Sequence, residues 1–285
     1  MSILSIQSSV AYGHVGNSAA VFPLQCLGQE VWPVDTVQFS NHTGYGRWRG
    51  DVFAAGHVRE VVRGIEEQGR LGDCVAVLSG YLGDAEIGGA VVDAVAAVRA
   101  ANPVALYCCD PVIGDVGKGV FVREGVPEFL AEKAIPAADI VTPNQFELEM
   151  LTGMVAHTLD KAIAAADALR GRGPRMVVVT SLLRSEAPPG CIETLLATAD
   201  GAWLVRTPLW ALPFPPSGSG DVLSALFLGR LLSGTPPPEA LALAVSSLYA
   251  ILGRTLDLGR RELALIDGRH EIGAPSKVFP AIPVG

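Results

Sequence analysis

Short apolar, β-rich runs alternate with helical patterns along most of this 285-residue chain. Two runs, CVAVLSG and RMVVVTS, are almost wholly apolar, as strands are when helices cover both faces of a sheet. The alternation predicts an α/β fold with a parallel, doubly wound sheet. The predicted strands are residues 3–8, 31–38, 74–80, 104–110, 139–142 and 175–181, and the predicted helices are residues 16–28, 54–68, 86–101, 145–152 and 158–172.

The pattern changes in the last third of the chain. Residues 191–207, CIETLLATADGAWLVRT, hold two β-like runs around ADG, which predicts an antiparallel hairpin. Two helices are predicted at 221–233 and 237–253, and the second begins in TPPPE, where a proline suits the first turn. No repeat or linker divides the sequence, so residues 1–285 are predicted to form a single domain.

Composition narrows the class of protein. Hydrophobic residues make up 49% of the chain and the net charge is −8, with no basic stripe, which argues against nucleic-acid binding. The N-terminal MSILSIQSS lacks the basic region of a signal peptide, and no uninterrupted apolar run reaches membrane-spanning length. The five cysteines show no metal or redox spacing, and the adjacent Cys108 and Cys109 should point to opposite faces of a strand. A cytoplasmic enzyme is expected.

Polar residues follow each predicted strand. In open α/β sheets, ligands bind beyond the carboxyl ends of the strands. Six such segments fall at that edge: QSSVAYGHVGNSAA, VQFSNHTGYG, LSGYLGDAE, YCCDPVIGDVGKG, TPNQFELE, and Thr180 with Ser181. Their agreement predicts a ligand site there.

Residues 218–221, GSGD, introduce an apolar helix with two glycines around a serine. Serine and aspartate are common helix caps, so a purely structural cap is one interpretation. Glycines, however, leave backbone N–H groups bare, and bare N–H groups at a helix start bind anions. The aspartate carboxylate would repel an anion bound there. Its presence makes sense if the carboxylate acts on a neighbouring hydroxyl instead. The tetrapeptide alone leaves a cap and a catalytic loop both open.

Several common nucleotide and hydrolase motifs are missing. The sequence has no G-x-x-x-x-G-K-[ST], no G-x-G-x-x-G at the first helix, no H-E-x-x-H and no G-x-S-x-G. What remains are glycine-supported N–H groups with Asp221, and the further carboxylates Asp110, Asp115 and Glu147. Phosphoryl transfer needs such parts: donors for the phosphoryl charge, oxygen ligands for magnesium and a base for the acceptor hydroxyl.

Five stretches resemble the pyridoxal kinases, the vitamin-kinase branch of the ribokinase-like superfamily. They are SIQSSVAYGHVGNSAAVFPLQCLGQEVWPVDTVQFSNHTGYG, LSGYLG, DPVIGD, TPNQFELEMLTG and GSGD, in the family's order between residues 5 and 221. The run VWPVDTVQFSNHTGYG is specific to pyridoxal kinases, whereas TPNxxE and GxGD mark the wider superfamily. The resemblance implies a ribokinase-like three-layer fold, with a central, mainly parallel sheet and flanking helices, and a homodimer.

The resemblance also implies the reaction. It is ATP-dependent phosphorylation of the 5′-hydroxymethyl group of pyridoxal, and of the related vitamers pyridoxine and pyridoxamine, in vitamin B6 salvage. Asp221 resembles the base that deprotonates this group. The backbone N–H groups of Gly218, Ser219 and Gly220 resemble the anion hole for the γ-phosphoryl group. The family commonly has threonine or valine in place of Ser219, a mild change because the donor is main-chain.

Substrate contacts are implied at Ser8, His42, Thr43, Gly44 and Tyr81. Each of three has a plainer interpretation: the hydroxyl of Ser8 could bond local backbone, His42 could be a structural loop residue, and Tyr81 could be core. Some relatives carry glutamine in place of Gly44, so one side-chain contact is lost here.

Nucleotide and metal contacts are implied at Asp110, Thr142, Glu147 and Thr180, near the ATP phosphates and Mg²⁺. Asp115 is a further metal candidate, although relatives vary there, and Thr207, Pro208, Leu209 and Trp210 match a segment that borders the nucleotide. Asp110 could instead be a turn residue and Glu147 a helix cap.

The threonine at residue 180 also predicts a binding site for a monovalent cation such as K⁺. Some relatives have lysine there, and threonine supplies no positive charge near the triphosphate. Oxygens of Asp110, Thr142 and Thr180 are hard ligands suited to an alkali ion. Thr180 could also merely end its strand by bonding local backbone.

Two rival functions stay open. A hydroxymethylpyrimidine or sugar kinase would share the fold, but FSNHTGYG argues against a sugar kinase. A non-catalytic pyridoxal carrier would need neither Asp221 nor the glycine loop.

Overall fold

The apolar runs of the sequence form one sheet in the computed structural model, which describes residues 2–214 and 217–285. Met1, Pro215 and Pro216 lie outside the described residues. The strands are β1 (Ser2–Tyr12), β2 (Glu30–Asn41), β3 (Gly50–Val52), β4 (Cys74–Ser79), β5 (Leu106–Cys109), β6 (Gly114–Asp115), β7 (Gly119–Val120), β8 (Ile140–Val141), β9 (Met176–Leu182), β10 (Cys191–Thr198), β11 (Gly201–Pro208) and β12 (Ile282–Val284).

Ten of these strands pair in the order β12-β11-β10-β9-β8-β5-β4-β1-β2-β3, and β6 and β7 form a separate small hairpin. The six strands predicted from the sequence (β1, β2, β4, β5, β8 and β9) are all mutually parallel in this order. β10 and β11 pair antiparallel around Ala199 and Asp200, which confirms the predicted hairpin. The carboxyl ends of the six parallel strands therefore share one edge of the sheet.

Helices cover both faces of the sheet. They are α1 (Asn17–Cys26), α2 (Ala55–Glu67), α3 (Ala85–Ala101), α4 (Val126–Phe129), α5 (Ile135–Ala137), α6 (Gln145–Thr152), α7 (Leu159–Arg170), α8 (Ser219–Leu232), α9 (Pro237–Asp257) and α10 (Arg269–Gly273). A π-helical turn, Leu130–Ala134, joins α4 to α5, and short 3₁₀ turns lie at Thr43–Tyr45 and Leu71–Asp73.

The helices build two hydrophobic cores, one on each face. α2, α3, α6 and α7 pack on one face, and α1, α8, α9 and α10 pack on the other. Alternate residues of each strand enter opposite cores: Cys109 joins the first and Cys108 the second, as predicted from their adjacency. The result is three layers of helices, sheet and helices.

The predicted helices are confirmed with small shifts at their ends. α9 runs four residues beyond the predicted end, because Arg254–Asp257 continue the helical pattern. By length and composition alone α9 could cross a membrane, but 56% of its most apolar window is buried, as in a core helix. The sequence prediction missed seven short elements of two to five residues each: β3, β6, β7, β12, α4, α5 and α10.

Candidate active site

A cavity of about 550 Å³ opens at the carboxyl edge of the parallel strands. It is lined by most of the residues that the sequence singled out: Ser8, His42, Thr43, Gly44, Tyr81, Asp110, Asp115, Thr142, Glu147, Thr180, Gly218, Gly220 and Asp221. Ser219 and residues 207–210 do not line it. The structure therefore brings the predicted substrate side and the predicted phosphate side into one cavity.

The start of α8 presents free backbone donors to this cavity. Gly218 has φ +85°, and a Cβ there would come 1.8 Å from the carbonyl oxygen of His14, so only glycine fits. The N–H of Val222 donates to Gly218 (3.0 Å), and no side chain caps the helix. The N–H groups of residues 219–221 thus have no acceptor within α8. Capping by a side-chain hydrogen bond is therefore excluded, although Asp221 in the first turn still complements the helix dipole, and the helix start can bind an anion.

Asp221 stands in the first turn of α8 with part of its surface open to the cavity. Burial raises the pKa of Asp221 to about 6, and a hydrogen bond from the backbone of Gly16 acts in the opposite direction. Gly16 has φ +55°, and a Cβ there would come 2.1 Å from the carbonyl oxygen of Ser8. Sequence reasoning missed Gly16, which connects a predicted substrate residue to Asp221.

Asp110 lies at the end of β5 and is only 6% exposed. Burial raises its pKa well above the ordinary value, as do the nearby carboxylates of Glu147 and Asp221, while hydroxyls of Thr142 and Ser224 lower it. The Ser224 hydroxyl lies 2.8 Å from that of Thr142. Ser224 was also missed, although its place three residues after Asp221 puts both on one helix face. The three neighbouring carboxylates of Asp110, Glu147 and Asp221 favour a bound cation at this place.

Glu147 is a helix cap as well as a cavity residue. Its Oε2 accepts from the N–H of Asn144 (2.8 Å), and Asn144 Oδ1 accepts from the N–H of Glu147 (2.9 Å), which is a capping box. Its Oε1 accepts from the N–H of Ile113 (2.9 Å). Burial raises the pKa of Glu147 to about 7. Since both oxygens accept hydrogen bonds from backbone N–H groups, the capping interpretation is confirmed.

Thr180 lines the cavity near the end of β9, and its N–H donates to Pro143 (2.8 Å). Its hydroxyl makes no hydrogen bond to the described residues, so it does not bond local backbone. The next residue, Ser181, has φ +50°, where the pairing with β10 shifts register between Glu193 and Leu195. This β-bulge turns the end of the strand beside the cavity.

The turn after β2 carries the predicted substrate residues His42, Thr43 and Gly44. His42 Nδ1 accepts from the N–H of Gly44 (3.2 Å), and the hydroxyl of Ser217 lies 3.3 Å from the same nitrogen. Burial lowers the pKa of His42. A Cβ on Gly44 would come 2.8 Å from Nδ1, so His42 occupies the space that a side chain at residue 44 would enter.

Ser8 and Tyr81 complete the predicted substrate side of the cavity. Ser8 is buried, and its hydroxyl makes no hydrogen bond within residues 2–214 and 217–285, which leaves it free for a ligand. Tyr81 is half-buried on the cavity wall, and its carbonyl accepts from the Thr36 hydroxyl (3.2 Å). Tyr81 is therefore not a plain core residue, because it is only half-buried and lines the cavity.

Asp115 lies on the hairpin of β6 and β7, where it pairs with Lys118 (3.0 Å). Both side chains are largely exposed and both line the cavity. Asp115 thus has a local cation partner, which weakens its candidacy as a metal ligand.

The stretch at residues 207–210, at the end of β11, does not line the cavity. Thr207 is buried in β11, Pro208 ends it, and Leu209 is exposed. The Trp210 ring stacks on Tyr249 at 4.9 Å, and its Nε1 donates to the Tyr249 carbonyl (3.0 Å). A nucleotide contact at these four residues stays a prediction.

Comparison with known proteins agrees with this geometry. The phosphomethylpyrimidine kinase family model matches residues 69–265. Pyridoxal kinase PdxY of Rubrobacter xylanophilus is 60% identical over 281 residues, covering 98% of this chain and 96% of the relative. This chain belongs to the pyridoxal kinase family.

Other pyridoxal kinases match this chain over nearly its whole length as well. The PdxY protein of Deinococcus radiodurans is 56% identical, with 98% of this chain and 95% of the relative covered. Pyridoxal kinase from Leishmania donovani, in complex with ADP and pyridoxamine, superposes with a TM-score of 0.92 at 30% identity, covering 100% of this chain and 99% of that one. The chain is therefore a kinase, and the predicted ribokinase-like α/β fold is confirmed.

Residues 2–214 and 217–285 hold no group of three His, Cys, Asp or Glu placed to bind a metal ion. Magnesium commonly takes one or two carboxylates and completes its shell with waters and substrate phosphates. The buried Asp110 carboxylate, with the hydroxyls of Thr142 and Thr180 on the same cavity wall, fits that mode. These hard oxygen donors also suit an alkali ion.

Proposed function

We propose that this chain transfers the γ-phosphoryl group of ATP to the 5′-hydroxymethyl group of pyridoxal, giving pyridoxal 5′-phosphate in vitamin B6 salvage. The observation that carries the proposal is the position of Asp221. Its carboxylate stands beside the uncapped donors of α8 in a cavity that also holds Ser8 and Tyr81. The Leishmania donovani enzyme, of the same fold, is described in complexes with ADP and pyridoxamine or pyridoxine, which supports these vitamers as further substrates.

In this proposal Asp221 accepts the proton of the 5′-hydroxyl group. A base is most effective when its pKa lies near the working pH, and a pKa of about 6 meets that condition. The N–H groups at the start of α8, including those of Ser219 and Gly220, stabilise the negative charge on the transferring phosphoryl group. Ser8, His42 and the residues beside them hold the pyridine ring so that its hydroxymethyl group meets Asp221.

Asp110, Thr142 and Thr180 would hold the cations on the phosphate side. Bound Mg²⁺ neutralises phosphate charge and orients the triphosphate, and a monovalent cation such as K⁺ adds charge where Thr180 supplies none. Glu147 holds the loop at residues 113–114 in place and reaches the metal through water. The raised pKa of Asp110 fits a site whose carboxylates ionise together only when a cation is present.

The assembly and location follow the family resemblance. We propose a homodimer of single-domain chains, residues 1–285, that works in the cytoplasm and binds neither nucleic acid nor membrane. A net charge of −8 and the burial of α9 support the last two points. The mass of the purified chain in solution tests the dimer.

The test is a substrate panel with purified protein, ATP and Mg²⁺. Pyridoxal, pyridoxine, pyridoxamine, hydroxymethylpyrimidine and a sugar are each supplied, and both ADP and the phosphorylated product are measured. We expect pyridoxal 5′-phosphate from pyridoxal, and its loss in Asp221→Asn but not in Asp93→Asn, which changes an exposed aspartate on α3. Turnover of hydroxymethylpyrimidine alone would establish the rival kinase. Tight pyridoxal binding without ADP release would establish a carrier.

A further inference from the structure

Glu262 joins two loops at the mouth of the cavity, although it is not among the residues assigned a role above. Its Oε1 accepts a hydrogen bond from the Tyr45 hydroxyl (2.6 Å). Its Oε2 accepts from the backbone N–H of His14 (3.0 Å). A Cβ on Gly13 would come 2.1 Å from Oε2, so a glycine is needed for the carboxylate to approach. One side chain thus ties the turn at residues 43–45 to the loop at residues 13–16.

Both tied loops belong to the candidate site. The first carries Thr43 and Gly44, which line the cavity. The second carries Gly16, whose backbone bonds the Asp221 carboxylate, and the His14 carbonyl against which Gly218 packs. Any movement of one loop relative to the other therefore changes the distance between the substrate-side turn and the base.

The neighbouring Arg261 holds the same turn in a second way. Its guanidinium carbon lies 3.6 Å from the centroid of the Tyr45 ring, a cation–π contact. Its Nη2 donates to the Gly44 carbonyl (3.0 Å). Tyr45 is therefore fixed through its hydroxyl by Glu262 and through its ring face by Arg261, both from the segment that follows α9.

We propose that Glu262 is a positioning residue that sets the turn at residues 43–45 against the loop at residues 13–16 and so governs pyridoxal binding. The inference rests on the proposed function, since it assumes that pyridoxal occupies this side of the cavity. The phosphate-side groups Asp110, Thr142 and Thr180 follow other strands, so nucleotide binding should be nearly independent of Glu262.

The test compares Glu262→Ala with Glu262→Gln and Tyr45→Phe. Loss of a hydrogen bond to a charged group typically changes an equilibrium constant by about 10- to 100-fold, and the lower end applies to a half-buried group. We expect Glu262→Ala to raise the KM for pyridoxal about tenfold and the KM for ATP by less than about twofold. In Glu262→Gln, the amide oxygen accepts from His14 and the amide nitrogen donates to Tyr45, so this variant should stay near wild type.

Tyr45→Phe should shift the KM for pyridoxal in the same direction as Glu262→Ala, and by less. Glu60→Ala, which removes an exposed carboxylate on α2, is the control and should change neither KM. Titration calorimetry with pyridoxal gives the same comparison without turnover. If Glu262→Ala does not melt cooperatively, the KM values of Tyr45→Phe and Glu262→Gln test the proposal in its place.

Two failures are distinguishable. A wild-type chain that neither binds nor phosphorylates pyridoxal overturns the proposed function itself. An active wild type whose Glu262→Ala variant keeps its pyridoxal affinity, or loses pyridoxal and ATP affinity equally, overturns only the positioning role.

Discussion

Replacing Asp221 by asparagine should stabilise the ligand-free protein while it removes activity. Asp221 has a pKa of about 6, against about 4 for an ordinary aspartate. At about 1.4 kcal/mol per pKa unit, ionised Asp221 destabilises the folded chain by about 3 kcal/mol at neutral pH. Asparagine keeps the shape and can still accept from the backbone of Gly16. It carries no charge, so this destabilisation disappears.

The pH dependence follows from the direction of the pKa change. A carboxyl group with a raised folded pKa holds its proton longer in the folded state, so its ionisation opposes folding as the pH rises. The effect of Asp221 is nearly absent below about pH 4, grows up to about pH 6 and is constant above it. For a chain of this size, about 1 kcal/mol corresponds to about 2 °C in Tm. We expect Asp221→Asn to raise Tm by about 3–6 °C at pH 7.5 and by less at pH 5.

The assay is thermal unfolding at both pH values beside turnover of pyridoxal. Turnover should fall by about 10²- to 10⁴-fold, the usual contribution of a general base. Asp93→Asn, on the exposed face of α3, is the matched control and should leave activity unchanged and give no pH-dependent gain in Tm. An Asp221→Asn variant that melts below the wild type at pH 7.5 would refute the electrostatic reasoning. Near-normal turnover would refute the assignment of the base.

Three further outcomes are expected. Gly220→Val should lower turnover by about 10²- to 10³-fold by blocking main-chain donors, and a larger loss in Ser219→Ala would show that the side chain carries the site instead. Potassium should raise activity at fixed magnesium and ionic strength, and Thr180→Lys should weaken this dependence. Equal rates in potassium and in a bulky organic cation at the same ionic strength would contradict the predicted activation by potassium. Ser181→Gly should be about 1 kcal/mol more stable than Ser181→Ala, because glycine relieves φ +50°, and equal melting temperatures would exclude that strain.

The sheet was predictable because its central strands are buried on both faces. Continuous apolar runs such as Val177–Val179 have few alternatives to a covered strand, and their spacing by helical patterns indicates parallel order. The missed strands, β3, β6, β7 and β12, have two or three residues each, too few for a periodic pattern. Their pairing depends on what the rest of the fold places beside them, which no local pattern contains.

The site was predictable where a residue follows a strand or opens a helix, as Asp110 and Asp221 do. The missed residues act through distant neighbours. Gly16 reaches Asp221 only because α1 and α8 pack together, and Glu262 reaches Tyr45 across 217 positions of sequence. Glu147 shows a different limit, because a capping box and a metal site share one pattern in the sequence, and only the hydrogen bonds to Asn144 and Ile113 distinguish them.

The packing of His42 against Gly44 couples the side chains that these two positions can hold. A Cβ at residue 44 would come 2.8 Å from His42 Nδ1, and the same nitrogen accepts from the N–H of residue 44. A side chain such as glutamine at residue 44 would therefore force the His42 imidazole to move. The order of substitution therefore matters: a change at His42 first leaves residue 44 open to a side chain, whereas a change at Gly44 first displaces a ring that lines the cavity. Mutational effects at the two sites should be strongly non-additive.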